Sequence, residues 1–323
     1  MPTQTDYGKA FEFSVANNYS NCLQDAGLAV NLIKDAAFLV AQAKYGIFSY
    51  SDQRRFDVAA SATVETLLKL EPGFSNPQSN QDILSIQILP DSAGQAGDVR
   101  DIVFRRIKGR APWEVGISAK NNHDAVKHSR LSPKIDFGKE WIGTPCSLRY
   151  FSDVRVVFDW IASLIAANPQ QSWASLGNAK EQDVYKPVLL AFRDEMSRLL
   201  LQNPQLPQLL LKYLIGRYPF YKVIKDDTNN CVAVKGFNLN GGLNRSYNGF
   251  APSHRIDSIS FPTRIIEFDF VPGSNTTLKM YLDHGWQISF RIHNASTKLE
   301  TSLKFDINLI GNPPVLFTQH LFV

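Results

Sequence analysis

The stretch GDVRDIVFRRIKGRAPWEVGISAKNNHDAVKHSRLS, residues 97–132, carries the side chains best suited by type and spacing to do chemistry. Two apolar-rich segments, residues 99–107 and 113–120, flank Lys108-Gly109-Arg110-Ala111, the composition of a β-hairpin with a longer turn. A turn centred on residues 109 and 110 sets Asp101 opposite Ser118, and the two-residue period of a strand puts Ser118 and Lys120 on one face. A carboxylate facing a lysine across a ladder suits metal-assisted hydrolysis of a phosphodiester. The acid is a hard oxygen ligand for a hard cation such as Mg²⁺, which polarises the phosphate, and the ammonium adds positive charge beside the attacking water.

The second metal ligand is less obvious. Such sites ordinarily carry Glu or Asp two residues before the lysine, and here that position is Ser118. Glu114 shares the face but not the place: six residues of strand span ~20 Å, whereas a Mg²⁺ ligand sits within about 2.1 Å of the ion. Glu114 is expected to touch substrate or pair with Arg105. Asp98, in the loop entering the first strand, and Glu12, projecting from the N-terminal GKAFEF toward the sheet, remain as candidates. The catalytic set is then Asp101, Lys120, Asp98 and Ser118, with the metal on Asp101, Asp98 and Glu12.

Directly after the lysine, Asn121 and Asn122 offer amides suited to base edges. A short helix over residues 123–131 would line up His123, Lys127 and Arg130 at i, i+4 and i+7, a cationic stripe for phosphates. Between Asp98 and Arg155 there are 12 Lys or Arg against 7 Asp or Glu, a net of +5 in a chain of net charge +4. A concentrated basic segment in an otherwise near-neutral chain is the footprint of a polyanion partner. Near the other end, WQISFRIHNAS alternates Trp286, Ile288, Phe290 and Ile292 with polar residues, a half-buried strand. Arg291, His293 and Asn294 then emerge on its polar side, available for DNA, with an ion pair from Arg291 to Glu300 or Asp306 as the competing use.

The elements that must position these residues read as helices, then strands, then helices, then strands. Phe11, Val15 and Tyr19 recur at four-residue spacing in the first helix; Asn31 is a cap for a second through Tyr45, and Ser51 or Asp52 for a third ending at Leu70. Residues 152–167, 181–201 and 207–215 form a second helical block. From Tyr218 on, segments such as YKVIK, CVAVKGFNL, RIDSISF, TRIIEFDF and SLKFDINLI are strand-like. The expectation is an α/β (α+β) fold divided as a helical N-terminus plus core (1–150), a helical segment (151–217) and a β-rich region for DNA recognition (218–323).

The chain has 323 residues, 44% of them hydrophobic, enough for a sizeable core, and no apolar run reaches the ~18 residues a membrane span needs. Three widely spaced cysteines, without a CxxC pair or a visible secretory signal, fit a reduced cytoplasmic protein better than a disulfide framework or a zinc site.

Taken together, GKAFEF, GDVRDIVF, WEVGISAKNNHDAVKHSRLSPKIDFGKEWIG and GWQISFRIHNASTKLETSLKFDINLIG resemble the HaeIII-type family of type II restriction endonucleases. The resemblance covers the middle and the C-terminal quarter well, the first helix briefly, and residues 160–250 poorly. It implies a PD-(D/E)XK-like core with flanking helices, Mg²⁺ dependence, and cleavage of double-stranded DNA at a short palindrome, GGCC for the type member. Asp101 and Lys120 fall on the acid and the lysine of that core, and Ser118 departs from its pattern. Symmetric cutting implies a two-fold dimer, or a monomer nicking each strand in turn, and a restriction enzyme implies a methyltransferase protecting the same site. Two other classes compete: a DNA-binding protein that has lost its metal site, motivated by Ser118, and a β-rich interaction module, motivated by the strand-dense C-terminal third.

Overall fold

The structure is a computed structural model describing residues 2–95, 97–107, 112–122 and 125–323, apart from the side chains of residues 95 and 125–128. In chain order the elements are α1 (Gln4–Asp25), β1 (Val30–Leu32), α2 (Ala36–Gly46), α3 (Tyr50–Leu70), β2 (Leu84–Ile88), α4 (Asp91–Gln95), β3 (Ile102–Arg106), β4 (Trp113–Asn121) and β5 (Ala125–Leu131). Then follow α5 (Phe137–Ile142), α6 (Leu148–Ala167), α7 (Lys186–Gln202), α8 (Leu206–Ile215), β6 (Phe220–Asp226) and β7 (Cys231–Phe237). The last are β8 (Ile265–Phe270), β9 (Thr277–Leu282), β10 (Gln287–His293), β11 (Leu303–Gly311) and β12 (Phe317–Phe322).

Contacts divide the chain into two compact units that interleave along the sequence. One comprises Met1–Asp124, Gly216–Ser260 and Val315–Val323; the other comprises Ala125–Ile215 and Phe261–Pro314. This division cuts across the sequential segments 1–150, 151–217 and 218–323, because strand pairing, not chain neighbourhood, decides which segments share a core.

The first unit is built on a seven-stranded sheet of order β1-β2-β3-β4-β6-β7-β12. The β1–β2 and β4–β6 pairs are parallel and the rest antiparallel. α1, α2 and α3 supply Phe11, Val15, Tyr19, Phe38, Phe56 and Leu67 to a core shared with Ile86, Phe104, Val115, Ile117 and Val223 of the sheet. Alternation along β4 sends Trp113, Val115, Ile117 and Ala119 into that core, which leaves Glu114, Gly116, Ser118 and Lys120 on the opposite face.

The second unit carries an antiparallel sheet of order β5-β11-β10-β9-β8. Its core is aromatic: Phe192 of α7 packs with Phe137 and Trp141 of α5 and with Phe268, Phe290 and Phe305 of the sheet.

Three local expectations are corrected. Residues 125–131 are strand β5, not helix; β5 pairs antiparallel with β11, with Leu131 opposite Leu303 and Arg130 opposite Lys304. A ladder formed with residues about 170 positions away outweighs the weak helical spacing of the segment. Asn31 lies in β1, opposite Ser85, and Asp35 caps α2 instead, accepting from the Phe38 amide. RIDSISF forms an isolated bridge from Ile259 to Leu239 rather than a strand.

Candidate active site

The β3–β4 register follows the sequence reading. Ile102 pairs with Ile117 and Arg105 with Glu114, which extrapolates to Asp101 opposite Ser118; the turn itself, residues 108–111, lies outside the described residues. Asp101 is clamped through its backbone: its amide donates to the Ile117 carbonyl at 2.8 Å, and its carbonyl accepts from Leu89, also at 2.8 Å. Three donors then converge on its Oδ2: Ser118 Oγ at 3.2 Å, the Ala119 amide at 2.8 Å and Lys120 Nζ at 3.0 Å. The Asp101 and Lys120 side chains are 20% and 25% exposed, so the pair is sheltered but open to solvent on one side.

Glu12 joins them from α1, which packs on β4. A capping box starts that helix: the Thr3 hydroxyl accepts from the Asp6 amide, and Asp6 Oδ2 accepts from the Thr3 amide at 2.7 Å. Phe11, fully buried, fixes the rotation of the helix and leaves Glu12 6% exposed. Burial, and after it the charge of Asp101, push the Glu12 carboxyl up to about 8, against the pull of Lys9 and Lys120. Burial works against the charge of Lys120, but Asp101 and Glu12 outweigh it and raise its pKa, so the ammonium stays charged.

Lys9 is a member of the site that the sequence reading missed. Its Nζ bridges Glu12 Oε2 at 2.9 Å and Asp91 Oδ1 at 2.6 Å. The signal was present in GKAFEF: positions three apart on a helix are neighbours.

Among the described residues Asp101 Oδ1 and Glu12 Oε1 have no hydrogen-bond partner, and no group of three or more His, Cys, Asp or Glu is arranged to hold a metal. Two carboxylate oxygens still fit Mg²⁺, which keeps several waters and typically takes one or two carboxylates.

Asp98 belongs to a different cluster. Its Oδ1 accepts from Arg100 Nε at 2.8 Å and its Oδ2 from Nη2 at 2.7 Å, while Arg100 Nη1 reaches Glu114 Oε1 at 2.5 Å. Arg105 closes the other Glu114 oxygen at 2.6 Å, the ion pair expected for that residue. The arginine can cross β4 because residue 116 is glycine: a Cβ there would lie 2.0 Å from Arg100 Cδ. Asp98 does sit in the loop entering β3, but Arg100 consumes both its oxygens, so it is corrected from metal ligand to ion-pair partner.

The expected DNA-contacting residues fare unevenly. Asn121 is 2% exposed, its carbonyl accepting from Gln4, so it does not present an amide to a base edge. Asn122 follows β4 directly, with φ 58°, and uses both ends of its amide on Asp227, at 2.8 and 2.7 Å. His123 lies outside the described residues, as does the side chain of Lys127. Arg130 pairs with Glu300 at 2.6 Å and donates to Ser302 at 3.0 Å. On β10 Ile288, Phe290 and Ile292 are buried as read and Arg291 is exposed, but Ser289, on the polar side of the expected alternation, is buried too. His293 bonds Asp306 at 2.7 Å and the Asn294 carbonyl at 3.0 Å. Asn294 accepts from the Tyr185 hydroxyl at 3.1 Å and donates to the Ser296 carbonyl at 2.5 Å.

A family model for the HaeIII restriction endonuclease matches residues 8–313. Among curated proteins, the type II restriction enzyme HaeIII of Haemophilus aegyptius is 36% identical over 312 residues, 96% of this chain and 95% of that protein. No solved structure matches. The likeness spans both compact units and every element that carries the site, and the chain belongs to the HaeIII restriction endonuclease family, the enzyme class of type II site-specific deoxyribonucleases.

Proposed function

We propose that the chain cleaves double-stranded DNA with Mg²⁺ at a short palindrome, GGCC if it reads the site of the family's type member, and that Asp101, Glu12 and Lys120 carry the reaction. The observation that supports this most is the convergence of three donors on one oxygen of Asp101, which leaves its other oxygen and one oxygen of Glu12 uncommitted. When bound, the cation supplies Lewis-acid polarisation of the phosphodiester. Asp101 fixes the position of Lys120, whose charged ammonium orients the attacking water and offsets negative charge growing on the phosphate. Ser118, in place of a second carboxylate, steadies Asp101 through its hydroxyl. In-line displacement then leaves a 5′-phosphate.

Arg291 is the candidate for DNA contact with the freest side chain, since its strand partner Asp306 is bonded to His293. The assembly follows from the palindrome: a two-fold dimer, or one chain nicking each strand in turn. A methyltransferase acting on the same sequence is the functional partner, and the cytoplasm, where host and invading DNA meet it, is the compartment. No helix among the described residues is long and apolar enough to cross a membrane.

Digesting DNA of known sequence with and without Mg²⁺, then sequencing the fragment ends, tests this reading. Discrete fragments sharing one palindromic end sequence are expected. Random degradation, or equal cutting in the presence of a chelator, contradicts it.

A further inference from the structure

A second cluster of charged groups lies within the second unit. A cleft of about 370 Å³ is lined by Lys180, Glu181, Tyr185, Arg291, His293 and Asp306, among others. One wall is β10 and β11. The other is a π-helical turn, Lys180–Tyr185, that leads into α7. Such turns are rare and are frequent at functional sites. Tyr185 is buried and tied to Asn294 through its hydroxyl, so the turn is fastened to the end of β10.

The distribution of partners within the cleft is unequal. Arg291 lies directly opposite Asp306 in the β10–β11 register, the geometry for a cross-strand ion pair. His293 takes Asp306 Oδ2 instead, at 2.7 Å, and Glu300, the other carboxylate within reach in sequence, is held by Arg130. Among the described residues no hydrogen bond or ion pair engages the Arg291 guanidinium or the Glu181 carboxylate, both exposed. Lys180 adds a cation 5.4 Å from the centre of the Tyr185 ring. A donor fork and an acceptor therefore share one cleft without neutralising each other.

We infer that this cleft reads the edge of a G·C base pair, Arg291 donating to guanine O6 and N7 and Glu181 accepting from cytosine N4–H. The assignment rests on the reading of the chain as a DNA-cleaving enzyme and adds a specificity role for Glu181 that the cleavage chemistry does not require. In the major groove guanine shows two acceptors and cytosine one donor, the complement of a fork beside a carboxylate. An A·T pair reverses part of that pattern: the adenine amino group would face the guanidinium, and thymine O4 would face the carboxylate. Lys180 supplies a further donor for an adjacent guanine or phosphate. The His293–Asp306 bond serves this by withholding the carboxylate that would otherwise cancel Arg291.

The test uses the full-length enzyme and the duplex it cuts, with each G·C pair replaced in turn by A·T, and with 7-deazaguanine, which lacks N7, at each guanine. For the wild type, Arg291→Ala and Glu181→Ala, kcat/KM is measured on every duplex. Both variants are expected to lose about ten- to a hundredfold of discrimination, at the same base pair. The 7-deazaguanine duplex at that pair should slow the wild type and leave Arg291→Ala no slower than on the unmodified duplex. Uniform loss of rate on all duplexes, with discrimination intact, would overturn the assignment and leave the nuclease reading standing. A wild type that cuts no DNA in Mg²⁺ would remove both.

Discussion

Two charged clusters hang on the same pair of strands, and they differ in how completely their carboxylates are used. In the first, Asp98 and Glu114 have all four oxygens bonded by Arg100 and Arg105. In the second, Asp101 receives three donors on one oxygen and Glu12 one donor on one oxygen, leaving half of the set open. The arginine cluster is closed on itself, and desolvation is offset by the two guanidinium groups that hold Glu114 below the usual carboxylate range. At the lysine cluster, burial instead raises Glu12. Charge saturation is what a structural ion-pair network shows; incomplete saturation beside a charged lysine is what the proposed place for a cation and a phosphate requires.

The largest effect should come from the open cluster. Replacing Asp101 by Asn takes away the negative charge proposed to hold the metal and Lys120, and cleavage is expected to fall about 10³-fold in a single-turnover assay. A fall of less than tenfold would place the chemistry elsewhere. The closed cluster should respond in stability. Asp98→Ala takes two of the three carboxylate bonds from Arg100, whose side chain is 4% exposed, and leaves it Glu114 alone; it should cost about 2 kcal/mol in urea unfolding while the folded fraction cuts normally. If instead stability holds and cutting disappears, Asp98 is a ligand after all and the contrast between the clusters fails.

Smaller effects sharpen the role of Glu12. Below about pH 8 this carboxyl carries a proton in the metal-free protein, and a cation must displace it. The Mg²⁺ concentration for half-maximal rate should therefore fall as pH rises toward 8, by up to about tenfold per unit, and flatten above it. Lys9 and Lys120 face the same carboxyl; its charge and those of Asp91 and Asp101 outweigh their burial and raise both, so both ammonium groups stay charged through the range. Glu12→Gln should raise the Mg²⁺ requirement about ten- to a hundredfold and abolish its pH dependence. A variant with the wild-type pH slope would assign the proton to another group. Smallest of all, Arg130→Ala breaks a surface pair with Glu300 and should change stability by less than about 1 kcal/mol.

What the sequence made legible was local or periodic. The Asp101–Ser118–Lys120 alignment came from an assumed turn centre and a two-residue period, and the register it gives is that of the β3–β4 ladder. Phe11, Val15 and Tyr19 at four-residue spacing gave the buried face of α1, and with it the approach of Glu12. The failures were non-local. Nothing within residues 125–131 announces β11 as a partner, and with that ladder the helical stripe through His123, Lys127 and Arg130 disappears. Asp98 could be placed in its loop, but not its capture by Arg100, which depends on a glycine sixteen positions along the chain from the arginine. Arg291 was readable as exposed, whereas its freedom from Asp306 depends on a side chain two residues away on the same strand.

The most direct test is Lys120→Ala, assayed for cleavage in Mg²⁺ and, separately, for DNA binding. Loss of cutting with affinity for DNA retained is the predicted result. A variant that cleaves at the wild-type rate would contradict the assignment of the chemistry to the Asp101–Lys120 pair.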